Sequence, residues 1–111
     1  MAVNVDGTLA ALADPTRRRV VDLLRQRPMP AGELAATVGT SPPAMSRHLR
    51  VLRSTGLVEA AADEADARLR VYRLRPEPFT ALQAWLDQVQ AFWAEQLGSF
   101  KAHAERTRRG R

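Results

Sequence analysis

Two arginines, Arg47 and Arg50, stand three residues apart in the segment Ser41-Pro42-Pro43-Ala44-Met45-Ser46-Arg47-His48-Leu49-Arg50. A planar guanidinium makes paired hydrogen bonds to guanine O6 and N7, or to a phosphate. On a helix, side chains advance by about 100° per residue, so Met45, Leu49 and Leu52 share one face. Pro43, Arg47, Arg50 and Ser54 then share the opposite one, with Ser46 on its shoulder and Ala44 near the start of the helix. Two long cations among small side chains suit the major groove of B-form DNA, because the small neighbours permit close approach. An ordinary solvated helix could carry the same residues, so the elements around this one must decide.

Ser41 can cap the free N–H groups of that helix, and Pro42 fits its first position, where no N–H is needed. The helix is expected to run to about Ser54 and to stop at Gly56. Upstream, Ala31 to Val38 reads as a short helix with Leu34, Ala35 and Val38 on its apolar side and Gly39 suited to ending it. Only three or four residues separate the two, the spacing of a helix-turn-helix. Asp14-Pro15 opens an earlier helix with Val20, Val21, Leu23 and Leu24 facing inward, ended by Pro28. Arg17 at its third position rules out a capping box, and Arg18 is spaced to pair with Asp22. Before it, Thr8 to Ala13 suits one or two helical turns.

Downstream, Leu57 to Ala60 and Leu69 to Leu74 read as strands joined by the acidic turn Asp63-Glu64-Ala65-Asp66, that is, a hairpin. Pro76 and Pro78 open a long last helix. Its apolar residues Phe79, Leu82, Leu86, Val89, Trp93, Leu97, Phe100 and Ala104 recur at steps of three and four. They form a near-heptad seam about 39 Å long, with Trp85 and Phe92 on one flank. Gly98 weakens it by about 1 kcal/mol relative to Ala. Arg106 to Arg111 reads as a frayed basic tail. The fold class expected is mainly α with a small β-hairpin (α+β), in the order α-α-α-α-β-β-α.

The chain has 111 residues and a net charge of +5, room for one domain with a thin core that oligomerisation would help. Cysteine is absent, which excludes disulfides, thiolate metal sites and cysteine nucleophiles. No apolar run approaches the ~20 residues of a membrane span, and Met1 to Gly7 lack the basic start and apolar stretch of an export signal. A soluble cytoplasmic protein is the expectation. Sixteen of the 17 basic residues are Arg. Net charge is −2 over residues 1–14, +6 over 15–75 and +1 over 76–111, so the positive excess sits in the middle.

Several segments resemble the ArsR-type family of bacterial transcriptional regulators: LADPTRRRVVDLL (12–24), GELAATVGTSPPAMSRHLRVLRSTGLVE (32–59) and RVYRL (70–74). FWAEQL (92–97) resembles a metal-free branch of that family. The resemblance covers nearly the whole chain, and Ser46-Arg47-His48-Leu49 followed by VLRSTGLV is its most specific part. It implies a winged helix-turn-helix whose residues 15–75 bind DNA. It also implies a homodimer held by residues 1–13 and 76–105, each copy placing the 41–54 helix in a major groove of a palindromic operator. Expected DNA-binding residues are Ser41, Pro43, Ala44, Ser46, Arg47 and Arg50, with Arg68 and Arg70 from the hairpin and Arg17 from the earlier helix. For Arg17 to Arg19 as a run, phosphate contact competes with solvated pairing to Asp14 and Asp22. Expected dimer residues are Leu9, Leu12, Phe79, Leu82, Leu86, Val89, Phe92, Trp93 and Leu97.

The sequence departs from the family at three points. Pro30 stands where relatives often carry a capping Thr or Ser, and Pro42 where a polar side chain is common. The third is the acidic turn, which costs affinity if it faces phosphate. It is therefore expected to point away, so that removing its carboxylates tightens binding. His48 falls at the edge of the buried face, suited to packing or hydrogen bonding between helices.

Metal-sensing relatives use cysteine pairs or carboxylate and His sets on the last helix. Here Asp87 and His103 are far apart and His103 and Glu105 face different ways, so no metal is expected. Without a phosphate-cradling glycine motif or a nucleophile–base pair, no enzyme activity and no cofactor are expected. The cluster Trp85, Phe92 and Trp93 suits packing better than an effector pocket, and the sequence names no effector. The alternative to a DNA-binding regulator is a winged-helix protein-interaction module, which would show apolar anchors where Arg47 and Arg50 stand. Single-strand binding would want more exposed aromatics than Tyr72.

Overall fold

A computed structural model describes residues 4–109, in two compact units that divide between Ala81 and Leu82. The first holds four helices and a hairpin: α1 (Val5–Leu12), α2 (Pro15–Leu24), α3 (Ala31–Val38), α4 (Pro42–Ser54), β1 (Val58–Ala62) and β2 (Arg70–Leu74). The last helix, α5 (Pro76–Arg109), opens in this unit and provides the described part of the second.

Each boundary has a local cause. α1 begins earlier than expected because the Asn4 side chain accepts from the N–H groups of Asp6 and Gly7 at 2.9 and 3.4 Å. Asp14 caps α2 by accepting from the Arg17 N–H at 3.1 Å, and that bond holds its carboxyl below the ordinary carboxylate range. Pro30 gives α3 no side-chain cap. Glu33 in the first turn instead places negative charge at the helix start and pairs with Arg27, whose hydrogen bond keeps the carboxyl ionised to lower pH. α3 stops at Gly39 with φ 80°, and Gly56 with φ 77° turns the chain out of α4. Both are left-handed conformations that a side chain would strain.

The hairpin is antiparallel, with Ala60 opposite Tyr72 at its centre. Tyr72 also exchanges backbone hydrogen bonds with Met29, at 3.1 and 2.8 Å, so the segment before α3 lies along β2. Val20, Leu24, Leu34, Met45, Leu49, Leu52, Leu57 and Val58 form the buried core. Leu12 and Phe79 pack against it. The expected dimer residues therefore split: these two are partly satisfied within the chain, while Leu9 is exposed.

The second unit is helical from Leu82 onward. Leu82 and Val89 are half-buried, and the rest of the expected seam faces outward: Leu86, Phe92 (55% exposed), Trp93 (58%), Leu97 (64%) and Phe100 (73%). Phe92 and Trp93 meet edge to face at 5.8 Å. The tail expected to fray from Arg106 is helical through Arg109, where Thr107 returns a hydrogen bond to the His103 carbonyl; residues 110–111 lie outside the described range, as do 1–3. None of the described helices is long and apolar enough to cross a membrane.

Candidate nucleic-acid interface

Met45, Leu49 and Leu52 fix the rotation of α4 by burying completely or nearly so. Its far side is thereby turned outward: Ser41, Pro43, Ser46, Arg47 and Arg50 are exposed, and Ala44 is half-buried at the helix start. Ser41 Oγ accepts from the Ala44 N–H at 3.3 Å, so this hydroxyl first serves as a cap. Among the described residues, the ion pairs engage Arg25, Arg27, Arg68, Arg73 and Arg75. Arg47 and Arg50 have no acidic partner among the described residues, nor do Arg53 on the flank of α4 and Arg70 on β2. Arg53 is a residue that the sequence reading missed. Its signal was the three-residue step from Arg50, which keeps two side chains adjacent on a helix.

The arginine run of α2 does something else. Arg17 donates from Nε to the Ala11 carbonyl at 2.6 Å and from Nη2 to the Ala10 carbonyl at 3.3 Å. Arg18 donates to the Leu12 and Ala13 carbonyls at 2.9 and 3.1 Å. Arg19 reaches the Val38 carbonyl at 3.2 Å. All three donate to carbonyls at or just past the ends of α1 and α3, where a cation also meets the negative end of the helix dipole. Neither reading of the run anticipated this. Arg18 does not pair with Asp22, which bonds Arg25 at 3.3 Å instead. The bonds to the Ala10 and Ala11 carbonyls tie the half-buried Arg17 to the end of α1. Arg17 Nη1 lies 3.4 Å from His48 Nδ1, joining α2 to α4. Arg17→Met should lower stability by about 1–2 kcal/mol, read by chemical denaturation, with little change in the salt dependence of DNA binding. A reduced salt slope with unchanged stability would return Arg17 to the phosphate contacts.

At the hairpin tip the acids build the turn. The Asp63 carboxylate accepts from the N–H groups of Ala65 and Asp66 at 3.2 and 3.1 Å. Asp66 accepts from the Arg68 N–H at 3.0 Å and pairs with its guanidinium at 3.4 Å. Asp63 and Asp66 thus shape the loop, and Arg68 is partly neutralised, leaving Arg70 as the freer cation of the hairpin. Glu64 is exposed and has no part in these bonds, so Glu64→Gln isolates the charge from the turn geometry. It is expected to tighten duplex binding roughly two- to threefold at fixed salt. Weaker binding in a gel shift would mean that the carboxylate makes a favourable contact.

A short helix, a tight glycine turn, a second helix with a cationic outer face and an antiparallel hairpin define a winged helix-turn-helix protein. A family model described as a helix-turn-helix domain matches residues 12–60. The HTH-type transcriptional regulator Rv2034 of Mycobacterium tuberculosis is 40% identical over 95 residues, covering 86% of this chain and 83% of that protein. The transcriptional repressor SdpR of Bacillus subtilis is 35% identical over 54 residues, 49% of this chain and 60% of that one. A crystal structure of an ArsR family transcriptional regulator matches with a TM-score of 0.71 at 34% identity, over 81% of this chain and 96% of its own. The chain belongs to the ArsR family of DNA-binding transcriptional regulators.

Proposed function

We propose that the protein is a homodimeric repressor that reads a palindromic operator with α4. The observation that carries this reading is the pairing of a buried apolar face with an outer face whose Arg47 and Arg50 have no acidic partner among the described residues. Ser46, Pro43 and Ala44 keep that face narrow enough to enter a major groove, and Ser41 sets its tip. Arg70, with Arg68, would follow the backbone beside it. In the proposed division of labour, residues 15–75 bind DNA, and residues 1–13 and 76–105 hold the dimer.

The exposed row Leu86, Phe92, Trp93, Leu97 and Phe100 supports the dimer, because apolar side chains in a contiguous row favour burial against a second copy. Two copies related by a twofold axis call for half-sites about one helical turn, ~10 bp, apart. Occupancy of such a site blocks access to the duplex, which is repression without any chemical step and without a cofactor. Footprinting on the DNA upstream of its own gene tests this. Two related protected half-sites and a shift that weakens steeply with salt are expected. One unrepeated site, or salt-independent binding, would overturn the proposal.

A further inference from the structure

Between α4 and β2 lies a shallow depression lined by Ser46, Leu49, Arg50, Arg53, Ser54 and Tyr72. We propose that it is a seat for one backbone phosphate of the duplex, gripped by Arg53 and the Tyr72 hydroxyl. The proposal rests on the reading of α4 as the DNA-contacting helix.

Arg50 and Arg53 are one turn apart, so their charges share this depression, and like charges side by side call for an anion between them. Glu59 on β1 is already held by Arg73 at 2.7 Å and Arg75 at 3.9 Å, and no acidic residue lines the depression. Ser54 donates its hydroxyl to the Val51 carbonyl at 2.8 Å and offers no donor to the depression. Tyr72 is fixed by its backbone bonds to Met29 and by packing of its ring on the core, while its hydroxyl has no hydrogen-bond partner among the described residues. Two arginines and a phenol lining one hollow match a tetrahedral phosphodiester, to which a planar guanidinium fork binds by paired hydrogen bonds. The site lies where helix and hairpin meet, so a phosphate held there sets the depth of α4 in the groove without reading a base.

The experiment titrates wild type, Arg53→Gln and Tyr72→Phe against an operator duplex and a random duplex over a range of salt. Arg53 is exposed and Phe keeps the ring of Tyr72, so thermal unfolding should match wild type. Arg53→Gln is expected to weaken both duplexes by the same factor, about tenfold for each copy, and to reduce the log–log salt slope of the dimer by about two, one for each copy. Tyr72→Phe should weaken both about threefold with the slope unchanged. Millimolar inorganic phosphate should compete no better than chloride at equal ionic strength, which assigns the seat to DNA rather than to free phosphate. Wild-type affinity and slope in Arg53→Gln, or a change in its operator-to-random ratio, would overturn the seat while leaving the function of α4 intact. Failure of wild type to bind any duplex would overturn both.

Discussion

Replacing Trp93 and Leu97 together by Glu should convert the protein to a monomer and lower its affinity for a two-half-site duplex by about 10²–10⁴-fold. The force of this expectation lies in symmetry. In a twofold dimer every substitution occurs twice and meets itself or its neighbour, so two substitutions bury four carboxylates in one apolar contact. Both side chains are more than half exposed in the single chain, so their loss does not open its core. The residues of α4 remain untouched, and each monomer should retain the weak affinity of one half-site. The loss comes from separating the two readings: once the copies are no longer joined, the second contact is no longer at high effective concentration. Sedimentation velocity and duplex titration on the same samples check this. A variant that stays dimeric would place the seam elsewhere, and a monomer with undiminished affinity would remove the need for two copies.

The parts of the fold that the sequence foretold were those ruled by local chemistry. Asp14-Pro15 and Ser41-Pro42 each place a cap and a proline at consecutive positions, and both helices start there. Gly39 and Gly56 end segments by adopting conformations that other residues resist. The rotation of α4 followed from Met45, Leu49 and Leu52, since a helix with three large apolar residues on one side has one way to bury them. What escaped depended on residues distant in the chain or on competing partners. Tyr72 bonding to Met29 has no signature in either segment alone. Arg17, Arg18 and Arg19 look like a phosphate-binding run because their charge is visible in the sequence. The carbonyls that claim them belong to α1 and α3 and become neighbours only after folding. The acidic turn is a further case: its charge is visible in the sequence, while the N–H groups that Asp63 and Asp66 accept from in closing the loop are not.

Arg47→Ala should cost about 1–3 kcal/mol of operator binding for each half-site, a loss of roughly 5- to 150-fold per half-site, and relax discrimination at one base position in each. At about 100° per residue Arg47 falls nearer than Arg50 to the pole of α4 opposite the buried Met45, the position expected to reach deepest into a groove. A guanidinium there makes two parallel bonds to a guanine edge, and alanine makes none. Random duplex should lose much less, because most non-specific attraction comes from charges along the backbone. Arg47→Lys separates geometry from charge: it keeps the positive charge but has no planar fork, so it should restore non-specific binding and leave the base preference relaxed. Binding to a library of single-base operator variants reads this directly, as a flattened preference at one symmetric pair of positions. Equal losses on operator and random duplex would make Arg47 a phosphate contact, and the reading of sequence would then fall to Arg50 and Ser46.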